Sequence, residues 1–343
     1  MLKLNEKLIR KGKPVGLPYI GSKKKISKKI IEIIKQNFDI EGKIVYDIFG
    51  GGGAITCECL INEIPVVYND HDLSVGKMFK RVLNCDRDYI KSLVVSREEF
   101  SNIRNKKDKT TTDELKLLIN SFGNDRTYYL YSKELSDIKS NLAKDILKDI
   151  DDFNYKKSKI YLDFIRNTDY NIGQIEQISR LSQLDNINST LKVEEVRLQQ
   201  IERLSQIDNI NCLIKDGKFK NIQQLNHNEQ LNRESNTKIK YLKYMKNRDY
   251  TYFSNIKNQI LYLDPPYENP DRVLYKDHKN FSHKDFYDWV VDMSKNNIVL
   301  LSSYNVSDDR FKVVFEFKSA TSTKSANGKE MSNGNYEKLY MVK

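Results

Sequence analysis

Proline placement constrains this chain more tightly than any other feature. The six prolines stand at positions 14, 18, 65, 265, 266 and 270, so nearly two hundred consecutive residues between Pro65 and Pro265 contain none. Glycine thins out over the same stretch, with only Gly173 and Gly217 between residues 124 and 258. Proline removes a backbone donor and glycine weakens a helix, so a segment short of both and rich in Lys, Glu, Gln, Leu and Ile reads as largely helical. The flanks read differently. Short apolar runs bounded by turn residues at 43–49, 65–69, 259–264, 297–303, 312–317 and 337–342 predict sheet strands. Helical spacing of apolar residues at 26–38, 54–62 and 73–83 makes the opening half one helix followed by β-α-β-α. The expected organisation is a sheet domain split into residues 1–85 and 246–343 by a helix-rich insert at 86–245.

Composition bounds the function classes. A chain of 343 residues that is 39% hydrophobic and 31% charged can bury a sizeable core. Its formal charge of +11 favours polyanionic partners, although a solvated, Lys-rich surface gives the same sign. Cys57, Cys59, Cys85 and Cys212 lack metal-ligand spacing and read as reduced thiols, so no metal is expected. The first residues lack the apolar core of a signal peptide and no segment approaches a membrane span, which predicts a cytoplasmic protein.

The insert holds a tandem repeat. Gln177-Ile178, Arg180-Leu181-Ser182-Gln183 and Asp185-Asn186-Ile187-Asn188 recur 23 residues later, at 200–211. Apolar residues there fall at every third position, from Ile172 through Ile175, Ile178, Leu181 and Leu184 to Ile187, and such a row drifts about 60° per step around an α-helix. No single face results. Packing that supports the insert is the favoured reading, with a nucleic-acid surface as the other.

Asp264-Pro265-Pro266-Tyr267 closes the third predicted strand. The strand delivers Asp264 to the carboxyl edge of a sheet, where open α/β folds build their sites. Two prolines then stop the ladder and fix the direction of the carbonyls. Carboxylate and carbonyl together accept the two hydrogens of an exocyclic amino group, and Tyr267 can stack on the ring that bears it. A turn after a buried strand would also account for the tetrapeptide.

Near the other predicted strand pair, Tyr46-Asp47-Ile48-Phe49-Gly50-Gly51-Gly52-Gly53-Ala54 passes from strand to helix through four glycines. Such a turn lets a ligand approach the main chain, helix N-terminal N–H groups hold a carboxylate, and Asp47 can take an ammonium group. A ligand with both groups is an amino acid. Asp70 ends the next strand, where these folds bind ribose, although a helix cap is equally compatible and Asp72 is better placed for that role. Ribose joined to an amino acid describes S-adenosylmethionine. The dinucleotide and P-loop patterns fit poorly.

With these motifs in this order the chain resembles the Dam-like, alpha-group DNA adenine-N6 methyltransferases. Phe49-Gly50-Gly51-Gly52-Gly53 is similar to the family's Phe-x-Gly-x-Gly turn, and Pro18-Tyr19-Ile20-Gly21-Ser22-Lys23 to its first cofactor motif, with Ser22 where a glycine is usual. The resemblance implies an α/β fold, a Rossmann-like methyltransferase sheet with a largely helical target-recognition insert. It implies an S-adenosylmethionine site built from Tyr19, Lys23, Asp47, Phe49, Gly50, Gly51, Gly53, Asp70, Asp249 and Tyr250, and a catalytic segment of Asp264, Pro265, Pro266 and Tyr267. Lys23 and Tyr19 could otherwise be surface residues, and Asp249-Tyr250 a polar turn. For DNA contact Arg126 and Tyr128 are the candidates, against a buried cluster with Tyr129 and Tyr131, and Phe281 stands near the target base or anchors the core. Double-stranded DNA is the implied partner of a monomer, with a cognate restriction endonuclease as a second. Cytosine-N4 or RNA-adenine methylation, or a non-catalytic nucleic-acid-binding relative, are the alternatives.

Overall fold

The computed structural model describes residues 1–19, 21–168, 172–191, 238–268, 281–317 and 336–343. Seven strands form one sheet: β1 (Val45–Asp47), β2 (Val66–Asn69), β3 (Leu242–Lys246), β4 (Ile260–Leu263), β5 (Ile298–Ser303), β6 (Phe311–Glu316) and β7 (Lys338–Val342), in the order β3-β2-β1-β4-β5-β7-β6. The first five pair in parallel, and β7 runs antiparallel between β5 and β6. Six of the seven match the predicted runs. The exception is β3, which the expected boundary at 246 had assigned to the insert and which pairs instead with β2 as a sheet strand.

Strand order reverses between β1 and β4. The chain first builds outward through β2 and β3, then returns to lay β4 on the other side of β1, and such a switch point leaves a crevice beyond the carboxyl ends of the two strands. Asp47 pairs in register with Tyr68 of β2 and Tyr262 of β4, so these side chains share a face of the sheet. Asp264, two residues beyond Tyr262, returns to that face.

Helices cover both faces. On one side α1 (Lys24–Asn37), α2 (Ala54–Ile61) and α3 (Leu73–Leu83) pack Ile30, Ile34, Leu60, Met78 and Phe79 against Val45, Val66 and Tyr262. The insert extends that layer through α4 (Arg87–Lys91), α5 (Arg97–Asn105), α6 (Thr111–Asn120), α7 (Lys133–Asp149), α8 (Lys159–Arg166) and α9 (Glu176–Leu191). The other side is closed by α10 (His283–Ser294), whose Phe286, Val290 and Met293 lie on Leu261, Leu263 and Val299.

Helix α9 accounts for the every-third-residue pattern. Ile178, Leu181, Leu184, Ile187 and Leu191 are all fully buried, because α2, α3, α4, α6 and α7 surround the helix and each successive position turns to a different neighbour. The second repeat, at 200–211, lies outside the described residues. No helix among the described residues is long and apolar enough to cross a membrane, and no group of His, Cys, Asp or Glu among them could hold a metal ion.

Candidate active site

A cavity of about 310 Å³ opens over the β1/β4 switch point. The glycine turn forms its floor. Gly51 N–H donates to Asp70 Oδ2 at 2.7 Å, and Asp72 N–H donates to Asp70 Oδ1 at 2.8 Å, so Asp70 holds the turn in shape while each oxygen keeps a lone pair for a further donor. Burial pushes the Asp70 carboxyl up to about 6 against these two bonds. Asp72 caps α3 through Ser74 N–H, as expected. Asp47 is buried under the turn, where its Oδ2 accepts from Thr56 N–H at 3.1 Å and Thr56 Oγ1 at 2.7 Å. Burial raises its carboxyl to about 7, with the Thr56 bonds opposing.

Tyr19, Lys23, Asp47, Phe49, Gly50, Gly51, Asp70, Asp249 and Tyr250 all border the cavity, so three stretches separated in sequence meet there. Gly53 does not. With φ at +73°, a Cβ there would meet the Phe79 ring at 2.4 Å, so close packing against α3 by itself requires glycine at this position. Gly52 borders the cavity instead.

Phe49, Tyr250 and Phe281 make an aromatic wall. Their ring centroids stand 5.9 to 6.3 Å apart, and Phe286 backs all three from α10. Phe281 packs on Tyr250 and on His283, whose Nε2 meets the Pro266 carbonyl, and it borders the same cavity as Asp264. Asp249 also caps its own short turn, accepting from Thr251 N–H at 2.9 Å.

Opposite that wall lies a charged cluster. Lys23 Nζ is 2.7 Å from Asp264 Oδ1, 2.7 Å from Tyr267 Oη and 3.8 Å from Glu337 Oε2. Tyr267 Oη is also 2.8 and 3.0 Å from the two oxygens of Glu337 and 3.2 Å from Asp264 Oδ1, while Ser302 Oγ donates to Glu337 Oε1 at 2.7 Å. Burial raises the Asp264 carboxyl above the usual range, the Lys23 charge opposes this and the Glu337 charge adds to it. Pro266 borders the cavity and its carbonyl takes His283 Nε2 at 2.9 Å, and Pro265 is buried. The Tyr267 hydroxyl is thus built into the cluster, a placement the stacking expectation did not include.

Two hydroxyls on the cavity wall, Ser22 Oγ and Tyr262 Oη, are buried with no hydrogen-bond partner among the described residues. Buried polar groups are seldom left so, and a polar ligand would satisfy them. Neither was singled out from sequence, nor was Glu337. An aromatic inside an apolar run reads as core, and a lone acid before a strand carries no signal.

The DNA candidates separate. Tyr129 and Tyr131 are buried against Phe100, which bears out the cluster reading for those two. Arg126, 18% exposed, is spent within the protein: Nη1 bonds Glu114 Oε2 at 2.8 Å and Ser74 Oγ at 3.2 Å, and Nη2 lies 3.8 Å from Asp72. Tyr128 stands 66% exposed across a tight loop from Phe122, 65% exposed, where Phe122 N–H donates to the Tyr128 carbonyl at 2.7 Å.

With its cavity over the switch point of a doubly wound sheet and an acid–proline exit from β4 on one wall, the protein falls among the Rossmann-like methyltransferases. More closely, the family model of D12 class N6 adenine-specific DNA methyltransferases matches residues 19–325, and the chain belongs to that family. The family's reaction is methylation of adenine N6 in DNA, which sets aside the cytosine, RNA and non-catalytic alternatives, and such enzymes generally depend on S-adenosylmethionine. No match to the chain was found among curated proteins.

Proposed function

We propose that this protein carries a methyl group from S-adenosylmethionine to N6 of an adenine turned out of double-stranded DNA, with Asp264 receiving the amine. One observation carries the reading: the Asp264 carboxylate, 2.7 Å from Lys23 Nζ, faces the same cavity as the glycine turn, Asp70 and the aromatic wall. S-adenosylmethionine supplies a sulfonium methyl that is already activated, so the protein's task is position and charge.

Asp47 and the glycine turn take the amino-acid end of the donor, Asp70 its ribose, and the wall of Phe49, Tyr250 and Phe281 offers its purine an aromatic face, with Asp249 at the edge. Tyr19 and Lys23 close the near side. Among the described residues two carboxylates, Asp264 and Glu337, face the Lys23 ammonium, and the negative balance of these groups suits a cationic donor. The ring amine is a poor nucleophile because its lone pair is conjugated. Hydrogen bonds from N6 to Asp264 and the Pro265 carbonyl favour the pyramidal form, and Pro266 and the Tyr267 ring receive the base, whose extrusion costs about a few kcal/mol. Target recognition belongs to the helical insert, where Phe122 and Tyr128 present exposed rings. The enzyme works as a cytoplasmic monomer, alone or beside an endonuclease of the same specificity.

The test is tritium transfer from labelled S-adenosylmethionine to DNA. Asp264→Ala should lower the rate by about a hundredfold or more while donor binding by equilibrium dialysis persists. Equal transfer by the two proteins would sink the assignment.

A further inference from the structure

Methyl transfer leaves one proton too many on N6, and the cluster around Asp264 holds a second carboxylate with no part in binding the amine. We propose that Glu337 is the end of a proton path that runs from Asp264 through the Tyr267 hydroxyl, and that it acts as a positioning residue for Lys23 and Tyr267 at the same time. The inference rests on the reading of Asp264 as the amine's acceptor.

The hydrogen-bond distances carry it. Tyr267 Oη bridges the two acids, 3.2 Å from Asp264 Oδ1 and 2.8 Å from Glu337 Oε1, and Ser302 Oγ fixes that oxygen of Glu337 from β5. In the first step an N6–H bond breaks and an O–H bond forms on Asp264, with the electron pair returning to nitrogen. In the second, Asp264 gives this proton to Tyr267 Oη as Tyr267 gives its own to Glu337. Asp264 ends as carboxylate, Tyr267 as phenol and Glu337 as carboxylic acid, which then loses its proton to water. Charge and atoms balance without a further reactant. Burial and the two neighbouring carboxylates keep the Tyr267 phenol protonated far above its ordinary range, so it passes a proton without resting as phenoxide. Lys23 Nζ, 2.7 Å from the same hydroxyl, stabilises the charge that passes across it.

The groups that face Asp264 come from four parts of the fold: Lys23 ahead of α1, Asp47 of β1, Tyr262 and Tyr267 at β4, and Glu337 ahead of β7. Of the charged groups among these, only Glu337 is altered in the test. Single-turnover methyl transfer is measured against pH for the wild type, Glu337→Gln, Glu337→Asp and Tyr267→Phe. Glu337→Gln should shift the acid limb down by about one pH unit, because a like charge beside Asp264 is gone, and should slow the plateau by about tenfold or more. Tyr267→Phe should slow the plateau similarly but move the acid limb up rather than down, since the Glu337 charge remains and the hydrogen bond that favours the Asp264 carboxylate is gone. Glu337→Asp should restore both the limb and most of the rate. If Glu337→Gln keeps the wild-type limb and plateau, the path is wrong. If it melts early but keeps both, Glu337 is structural and the path is again wrong. Asp264→Ala retaining activity would overturn the Asp264 assignment itself, an outcome separate from these.

Discussion

Asp47 sits beneath the glycine turn with one oxygen committed to Thr56, and burial pushes its carboxyl up to about 7. In an unfolded chain an aspartate titrates near 3.9. The native state therefore holds a proton that the unfolded state has already lost, and stability from this group is full below the unfolded value and declines as pH rises through about 7. Asp70, raised to about 6, acts in the same direction. An ammonium group on Asp47 reverses the sign, because it favours the carboxylate. Binding of S-adenosylmethionine should accordingly release a fraction of a proton near pH 6.5, seen by calorimetry as a binding heat that changes with the ionisation heat of the buffer, and affinity should rise with pH through this range. Asp47→Asn should abolish the buffer dependence and weaken binding; a variant that still releases the proton would remove Asp47 from the ammonium site.

Loop 121–129 between α6 and α7 shows what a short element gains from its anchors. Arg180 on α9 donates Nη1 to the carbonyls of Ile119 at 2.8 Å and Ser121 at 2.6 Å, and Arg126 ties the far limb to Glu114 and to the start of α3. With its base so held, the loop exposes Phe122 and Tyr128 on a fixed frame. A ring that stacks on an unpaired base contributes about 1–3 kcal/mol, so Tyr128→Ala should weaken DNA binding roughly tenfold or more while donor binding and melting temperature stay unchanged. Fluorescence anisotropy with a labelled duplex reads this, and an unaltered DNA Kd would dismiss the loop as a contact. Legibility in the sequence follows the same division between local and distant causes. Strands β1, β2 and β4 to β7 announce themselves by apolar runs, and α3 by Asp72 and its apolar spacing. Strand β3, Leu-Lys-Tyr-Met-Lys, does not, because an edge strand with lysines in it resembles the polar stretch before it. The glycine turn and Asp264 were visible because their chemistry is compressed into a few residues. Glu337 was not, since what gives it meaning is Lys23 and Tyr267, brought to it by the fold alone. Arg126 shows the converse: an exposed arginine and a tethered one look alike in sequence until Glu114 is beside it.

At the scale of the molecule the insert shares its core with the sheet. Leu181, Leu184 and Ile187 of α9 belong to the same buried cluster as Val45 and Val66 of the sheet and Ile30 of α1, so the insert and the sheet that carries the cavity stand on one continuous packing. The far face of the sheet has its own cluster under α10, which includes the chain's one tryptophan, Trp289, packed on Tyr250 at 5.0 Å. Trp289 thus reports on the side of the sheet away from the insert, whereas far-ultraviolet dichroism reports mostly on the insert's helices. Leu184→Ala, at a fully buried position, should cost about 2–5 kcal/mol through lost burial and the cavity it leaves. If the insert and sheet fold as one unit, urea unfolding of this variant will show dichroism and tryptophan fluorescence falling together, both midpoints moved to lower denaturant by the same amount. A dichroism midpoint that moves while the Trp289 midpoint stays would instead make the insert a separately melting body, and the loop's frame independent of the donor site.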